Sequence, residues 1–359
     1  MVQYKKLDFT GQHIYIGLDI HTKNWTTSIF TTEFEHKTFS QPPDPNVLAN
    51  YLKRNFPGAN YHSVYEAGYC GFWIHDALID LGINNIVINP ADVPTKDKER
   101  KRKNNRVDSR KLARNLRAGE LEPIYVHDRQ ALEDRYLVRT RRNATKEQTR
   151  FKNRVKAAIK SFGIMIPPSF KNENWSGAFI KWIESIKMTR STGKTALMED
   201  LNELKHWRQK IAKLNRDIRQ LATEQPYCEN VKLLTSIPGI GKLIAMILLT
   251  ELGDILTRFP NLDKMATFIG IVPGEHSSGE EDNITNTAIT PRCHHELRAI
   301  LVQAAWVAVR KDPALAMCYN EYIKRMTGQK AIIRIARKLL NRIRYVLKNK
   351  QEYVLALVK

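Results

Sequence analysis

The chain has 359 residues, and its 58 lysines and arginines against 37 aspartates and glutamates leave a formal net charge of +21. An apolar share of 42% supports sizeable hydrophobic cores, so the composition indicates a globular protein of two or three domains. Such a positive excess attracts polyanions, which makes nucleic acid the first partner to expect. A basic soluble protein or a membrane-surface binder is the alternative on charge alone.

Cysteine usage and apolar runs exclude further classes. The four cysteines lie far apart without CxxC spacing, which signals neither a zinc site nor a disulfide framework: Cys70, Cys228, Cys293 and Cys318. Adjacent histidines on a helix point to different sides, so His294 and His295 beside Cys293 are not expected to bind a metal. No signal-peptide core or membrane span of about 20 apolar residues is present, so we expect a cytoplasmic protein that does not enter a membrane.

A β-rich pattern opens the chain. The segments HIYIGLDI, NWTTSIFTT and EHKTFS are rich in β-branched and aromatic residues, which predicts three successive strands between His13 and Ser40. A helix (NVLANYLKRNF), a strand (YHSVYEA), an amphipathic helix (GFWIHDALIDLG) and another strand (NNIVINPA) follow. Strands that alternate with helices after an opening meander indicate a mixed α/β sheet.

Helical patterns dominate after Asp108. SRKLARNLRAGEL predicts a helix that ends near Gly119, PIYV predicts one more short strand, and a long helical stretch begins near Arg129. Within it, large apolar residues recur at steps of four and three, the spacing of a coiled-coil seam: Leu197, Leu201, Leu204, Trp207, Ile211, Leu214, Ile218 and Leu221. The seam predicts that helices pair, either within one chain or between chains.

A different pattern begins after Pro226. LLTSIPGIGKLIAMILLTELGD predicts two apolar helices joined by a tight glycine turn, and free amides at the helix start near Lys242 suit a phosphate. This arrangement resembles the helix-hairpin-helix element of DNA-binding proteins, and a tight turn packed into a core is the alternative. QKAIIRIARKLLNRIRYVLKN then predicts an amphipathic helix whose cations either contact phosphates or form a solvated basic face.

Three carboxylates have unusual contexts. Asp19 lies in an apolar strand on the same face as Gly17, Glu66 ends the fourth strand, and Asp108 begins a helix. Burying a carboxylate in such a strand is costly unless it is paired or binds a cation. The layout matches an RNase H-like nuclease core, in which acids hold paired Mg²⁺ ions about 4 Å apart. Taken singly, Asp19 could cap a turn, Glu66 could pair with a lysine, and Asp108 could be a helix N-cap.

A basic run surrounds Asp108. We expect its cations to hold a polyanionic backbone while the acid holds the metal that acts on it, and this set comprises Arg100, Lys101, Arg102, Lys103, Arg106 and Arg110. Binding by these residues should depend on salt.

Five motifs in order, GLDIHTKNW, VYEAG, NNRVDSRKLAR, IPGIGKLIA and HSSGEEDNIT, make the chain resemble the transposases of the insertion sequence one-ten family, also called DEDD transposases. The resemblance runs from about Ile14 to Tyr345. It implies a RuvC-like domain over 1–128, a helical coiled-coil linker over 129–229 and a C-terminal transposase domain with an essential serine over 230–359. It also implies recombination of DNA guided by a structured RNA.

The resemblance assigns the family's acids to Asp19, Glu66 and Asp108. The remaining one falls on Asn105, where the family usually has aspartate. An asparagine carbonyl can bind Mg²⁺ but brings no charge, so weaker metal affinity or different coordination is expected. The family's serine falls best on Ser278, with Ser277 as a close competitor. The resemblance implies that this serine acts beside the metals and forms a covalent phosphoserine.

The leading expectation is a serine-dependent, Mg²⁺-requiring DNA recombinase that forms a dimer or tetramer through the coiled coil. One alternative is a RuvC-like hydrolase, in which metal-bound water attacks and Ser278 is passive. Another is a nucleic-acid-binding protein whose catalysis has lapsed, which Asn105 favours.

Overall fold

The computed structural model describes residues 8–94, 104–170, 175–273 and 289–355. The chain divides into two compact units, Met1–Val126 and His127–Lys359. The first unit contains a mixed sheet, as the sequence predicts, and the second is helical in its described part. The long helices and the C-terminal helices, predicted as two domains, share the second unit.

The sheet of the first unit has five strands in the order β3-β2-β1-β4-β5. The three opening strands pair antiparallel, whereas β4 and β5 extend the sheet in parallel from β1. All five coincide with predicted strand segments, at the bounds β1 His13–Ile20, β2 Trp25–Phe30, β3 Glu35–Gln41, β4 Asn60–Glu66 and β5 Asn84–Ile88. Because β1 lies at the centre, its apolar residues form the core of the unit, and Ile14 and Ile16 are completely buried.

Three α-helices accompany this sheet in the described part of the first unit: α1 Pro45–Asn55, α2 Trp73–Asp80 and α3 Asn105–Ala118. Helix α3 begins four residues earlier than SRKLAR suggested, because Asn104 caps it by accepting a hydrogen bond from the Arg106 amide at 3.0 Å. It ends at Gly119, whose φ of +72° provides the left-handed cap.

The PIYV segment is not a strand, contrary to the sequence prediction. Ile124 donates one backbone hydrogen bond to the Val87 carbonyl at 2.8 Å. Pro123 has no amide to donate, so the segment begins without a ladder bond. Ile124 and Val126 nevertheless pack against the core of the sheet.

The described helices of the second unit begin with α4 Arg129–Ser161, α5 Gly177–Ser185, α6 Ser191–Leu221, α7 Cys228–Thr235 and α8 Lys242–Leu252. Two short helices, α9 Ile255–Arg258 and α10 Leu262–Ile269, precede α11 His295–Lys311, α12 Pro313–Ile323 and α13 Gly328–Asn349. No described helix is long and apolar enough to cross a membrane.

Helices α4 and α6 form an antiparallel pair. Arg141 contacts Asn215 at 3.0 Å near one end, and Arg154 pairs with Asp200 at 3.1 Å near the other. The predicted seam lies along α6, where its buried members are Leu197, Leu201, Leu204, Leu214 and Ile218. The seam therefore packs within the chain, since Val155 and Val138 of α4 join the same hydrophobic clusters.

A single large core joins the α4 and α6 ends to the C-terminal helices. Helix α13 contributes the predicted apolar face, with Ile335, Leu339 and Ile343 fully buried and Ile333 only partly covered. Burial of this face against α11 and α12 explains why the helix carries its cations on the remaining surface.

Candidate active site

Asp19 and Glu66 lie at the ends of neighbouring parallel strands. The register between β1 and β4 pairs Gly17 with Val64 and Leu18 with Tyr65. The next step along both strands reaches Asp19 and Glu66, and paired residues of parallel strands point to the same face. Both side chains are partly exposed. The sheet therefore places two carboxylates side by side at one edge.

Helix α3 packs on this same face and brings Asp108 to it. A Cβ added at Gly17 would lie 2.1 Å from the Ser109 carbonyl oxygen and 2.5 Å from the Ala113 amide nitrogen. Only glycine permits such a close approach of helix and strand. The buried Ser109 hydroxyl also hydrogen-bonds to that of Ser28 at 2.8 Å. Helix α3, in which Asp108 directly precedes Ser109, is therefore held on the face of β1 that carries Asp19.

Asn105 is the first residue of α3 and is exposed. Residues three apart on a helix are neighbours, so Asn105 and Asp108 share one side of the first turn. The N-cap is Asn104, so Asp108 is not the cap that the simplest structural interpretation assigned to it.

Two basic side chains lie beside these acids, and the sequence interpretation predicted neither of them as a partner of an acid. His21 Nε2 lies 3.3 Å from Asp19, and Lys111 Nζ lies 3.6 Å from Asp108. Lys111 is only 8% exposed although it is charged. Its position three residues after Asp108 was the available signal, because residues at this spacing meet on a helix.

The donor chemistry suits a hard divalent cation, since carboxylate and amide oxygens are the ligands that Mg²⁺ prefers. Within the described residues, no group of three His, Cys, Asp or Glu side chains is close enough to hold a metal ion. Asp19 and Glu66 thus share one edge and one face, and the helix that carries Asp108 packs on that face, but the three acids are not gathered into a closed set of ligands. The carboxylate and amide oxygens are of the type that Mg²⁺ prefers, and they would have to move closer together to bind one ion.

The predicted phosphate-binding cations divide into two groups. One group lies outside the described residues and comprises Arg100, Lys101, Arg102 and Lys103. Arg106 is exposed in the first turn of α3. Arg110 contacts β3 instead, where its Nε lies 2.6 Å from Glu35 and 3.0 Å from the Thr38 hydroxyl.

The glycine turn between α7 and α8 packs against α11. Gly239 has a φ of +92°, and a Cβ there would lie 2.4 Å from the Ala304 carbonyl oxygen. Close packing therefore accounts for this glycine. Lys242 is exposed at the first position of α8. Ser277 and Ser278, the predicted nucleophiles, lie outside the described residues.

A buried carboxylate in the second unit was also missed. Glu251 of α8 accepts two hydrogen bonds of 2.7 Å from Arg139, and His294 Nε2 lies 3.3 Å from it. Burial alone would raise the pKa of the Glu251 carboxyl, but Arg139 and His294 outweigh burial and hold that pKa well below its usual range. His294 Nδ1 accepts the Leu297 amide at 3.3 Å, so this imidazole also caps α11.

His294 and His295 separate as their adjacency predicts. His294 turns toward Glu251, whereas His295 Nδ1 lies 3.3 Å from the Cys293 sulfur. The two histidines therefore do not act on one ligand.

Residues 16–164 match the family model of IS110-type DEDD transposases, described as "Transposase". Residues 231–320 match the model described as "Transposase IS116/IS110/IS902 family". The y4qE protein of Sinorhizobium fredii, a candidate transposase, is 28% identical over 242 residues, which cover 67% of this chain and 57% of that protein. The transposase for insertion sequence element IS1533 of Leptospira borgpetersenii is 24% identical over 247 residues, 67% of this chain and 70% of its own. The pilin gene-inverting protein of Moraxella bovis is 32% identical over 146 residues, 39% of this chain and 44% of its own.

A mixed five-stranded sheet with accompanying helices fits the α/β RNase H-like class of DEDD transposases. The two matched segments and these relatives show that the chain belongs to the IS110 family of transposases, enzymes that cut and rejoin DNA.

Proposed function

We propose that this chain is the transposase of an insertion sequence and that it recombines DNA with Ser278 as nucleophile and Mg²⁺ as cofactor. The observation that carries the proposal is the edge of the first unit, where the β1 and β4 register sets Asp19 beside Glu66 and where α3, the helix that carries Asp108, packs against Gly17. Acids from two adjacent strands and one helix are the donor set that metal-dependent phosphoryl transfer needs.

Asp19, Glu66 and Asp108 would hold the metal, and Asn105 would add its carbonyl oxygen. When bound, Mg²⁺ supplies electrostatic stabilisation to the attacking and leaving oxygens of a phosphodiester. Lys111 holds positive charge against Asp108 at 3.6 Å, which offsets the repulsion among the acids. His21 performs the same task for Asp19 at 3.3 Å when it is protonated.

The serine step conserves the phosphodiester energy. The Oγ–P bond forms while one P–O bond of the DNA strand breaks, the serine proton passes to a general base, and the departing oxygen takes up a proton. A strand-end hydroxyl then attacks the phosphoserine, which restores the P–O bond and returns the proton to the serine. A serine hydroxyl is weakly nucleophilic at its ordinary pKa, so this role depends on activation. Ser277 is the second candidate for the same step.

The partners belong to the same proposal. DNA is the substrate, a structured RNA from the same element serves as guide, and Arg100, Lys101, Arg102, Lys103 and Arg106 bind phosphates of either. The glycine turn and Lys242 would act as a helix-hairpin-helix contact to DNA. Because the α6 seam packs on α4, assembly into a dimer or tetramer through a coiled coil would use positions outside the buried seam.

A trapping experiment tests the nucleophile. The full chain, purified with the RNA that travels with it, is incubated with Mg²⁺ and DNA that spans the ends of its element. We expect a denaturation-resistant protein–DNA adduct that disappears in Ser278→Ala and persists in Ser277→Ala.

The other outcomes separate the alternatives. Cleavage retained in both alanine variants would favour hydrolysis by a RuvC-like site. DNA binding without cleavage, before and after Asn105→Asp, would favour a nucleic-acid-binding protein that has lost catalysis.

A further inference from the structure

The second unit contains a cavity of about 1080 Å³, and cations of α13, which the sequence predicts either to contact phosphates or to face solvent, line it. Helices α12 and α13 form its walls, and the strand bridge between Pro273 and Ile289 closes one side. Its surface is apolar at Ile271, Val272 and Ile333. None of the described residues that line it is acidic.

Five cations of α13 surround this cavity, and three of them are available to a ligand. Arg337 hydrogen-bonds to Asp263, and Arg342 pairs with the buried Asp312 at 3.1 Å. The three others are exposed and form no ion pair with another described residue, and they are Lys330, Arg334 and Lys338. Their spacing of four residues places them on one face at steps of about 6 Å. The rim of the cavity is therefore a row of positive charge.

An aromatic plane lies directly beside this row. The Arg334 guanidinium carbon lies 5.5 Å from the centre of the Tyr322 ring, and both residues line the cavity. Planar aromatic and guanidinium groups are the surfaces on which unstacked bases stack. Tyr322 packs on the C-terminal core, so its ring is held in place rather than free in solvent.

These features favour one kind of occupant. A row of cations attracts phosphates, and an apolar concave wall with a tyrosine accepts a flat base. Bases inside a duplex are stacked on each other and cannot enter a cavity of this kind. The combination therefore fits a single strand better than a double helix.

We propose that this cavity binds a single-stranded nucleic-acid segment, with an unstacked base against Tyr322 and Arg334 and successive phosphates on Lys330, Arg334 and Lys338. The binding site goes beyond the proposed function, because it requires neither the serine nor the acids of the first unit. Binding is measured without Mg²⁺ and cleavage with it, so failure of the binding site and failure of the proposed cleavage chemistry are distinguishable.

Equilibrium binding of fluorescent oligomers by the full chain without Mg²⁺ tests the base pocket. The probes are a twelve-nucleotide oligothymidylate and an abasic sugar-phosphate oligomer of equal length. Wild type should bind the oligothymidylate about tenfold more tightly, because stacking of one base is worth about that much. Tyr322→Leu, which keeps an apolar side chain in the core, should remove the preference without changing abasic affinity. Tyr345→Leu is the matched control, because Tyr345 is 56% exposed on α13 outside the cavity.

The phosphate row has its own matched test. Replacing Lys330, Arg334 and Lys338 by glutamine should weaken binding of both oligomers and lower the salt slope by about two to three. The control replaces three exposed cations of α6 by glutamine, at Lys213, Arg216 and Arg219, and should change binding far less.

Two further arms guard against misinterpretation. Ala314→Leu narrows the cavity from the first turn of α12 and should also reduce the base preference, so the test does not depend on one variant that folds. Oligouridylate in place of oligothymidylate distinguishes an RNA strand from a DNA strand. Equal affinity of wild type for the two first probes, equal loss in both cation triplets, or competition by polyglutamate as strong as by oligothymidylate would overturn the proposal.

Discussion

Carboxylates occupy opposite environments in the two units of this transposase. The side chains of Asp19 and Asp108 retain 22% and 29% exposure, and the basic groups of His21 and Lys111 lie 3.3 and 3.6 Å from them. Glu251 is 1% exposed and receives two hydrogen bonds of 2.7 Å from Arg139. Arg139 and His294 occupy the oxygens of the buried Glu251 carboxylate, whereas the carboxylates at the sheet edge remain partly accessible to solvent. Accessibility thus distinguishes an acid available for chemistry from one that stabilises the fold.

The largest expected effect is on activity. Asp19→Asn should reduce Mg²⁺-dependent DNA cutting at least about a thousandfold, or roughly 4 kcal/mol in the barrier, because it removes one charged ligand. Urea unfolding should change little, since the Asp19 side chain is partly exposed and the amide is isosteric. A strand-cleavage assay with His21→Asn as control measures this. Full cleavage in Asp19→Asn would make that acid structural and erase the contrast with Glu251.

The next effect is on stability. Glu251→Gln should lower the free energy of unfolding by about 3 kcal/mol at pH 7, because it leaves the partly buried Arg139 without its counter-charge. The pKa of Glu251 is depressed in the fold, so its contribution is present above the unfolded pKa of about 4.5 and is lost as the pH falls below it. The gap between wild type and variant should therefore narrow in acid.

Urea unfolding of the full chain at several pH values measures that gap. Glu321→Gln is the control, because it removes an exposed ion pair with Lys324 and should leave the midpoint unchanged. A pH-independent gap for Glu251→Gln would show that packing, and not charge pairing, sets the contribution of Glu251.

His127 provides a smaller test in the same buried region. Burial, reinforced by Arg135 and Arg258, lowers the pKa of His127 to about 4. The unfolded chain takes up this proton below its ordinary pKa near 6.5, whereas the fold resists until about 4. Stability should therefore fall as the pH drops through this window, by about 2 kcal/mol at pH 5. In His127→Leu this share of the pH dependence should be absent.

An NMR titration of the His127 ring checks the cause directly. A titration midpoint near 4 would confirm that the fold lowers the pKa of His127, whereas a midpoint near 6.5 would contradict the predicted loss of stability in acid. His295 is exposed and serves as the comparison ring in the same spectrum.

The sequence predicted the sheet well because each strand signal was local. The β-branched runs and their polar boundaries fixed all five strands, and the acids stood out as charges in apolar contexts. The PIYV prediction was wrong. The segment has the composition of a strand, but it forms only one backbone hydrogen bond to β5, from Ile124 to Val87. Whether a segment forms ladder hydrogen bonds depends on the strand beside it, and the composition of the segment alone does not contain that information.

Contacts between distant residues were beyond the sequence. The sequence around Gly17 does not show that α3 packs so closely that the Ser109 carbonyl oxygen would lie 2.1 Å from a Cβ there. The sequence around Glu251 likewise does not identify Arg139, 112 positions away, as its partner. The seam on α6 was predicted, but its partner could be chosen only when α4 was seen against it. Periodicity identifies a buried face and leaves open what covers it.

The smallest expected effect is on Mg²⁺ affinity, and it comes from Asn105, beside the acids at the edge of the sheet. Asn105→Asp adds a charge on the side of α3 that carries Asp108, so Mg²⁺ affinity should rise about tenfold, or roughly 1.4 kcal/mol. A negative charge at a helix N-terminus also stabilises the helix, by about 0.3–1 kcal/mol. Asn104→Asp separates the two contributions, because it adds the same charge one residue earlier and retains an oxygen that can cap α3.

Calorimetric titration with Mg²⁺ and urea unfolding of both variants provide the measurements. Both substitutions should stabilise the chain slightly, and only Asn105→Asp should raise metal affinity. The oxygen of residue 104 is occupied by the Arg106 amide as the helix cap, whereas residue 105 lies one turn before Asp108 within the helix. An equal gain in affinity for the two variants would mean that general charge, and not placement beside Asp108, controls binding. In that case an accessible edge would not be sufficient to define the metal site, and the contrast with Glu251 would rest on burial alone.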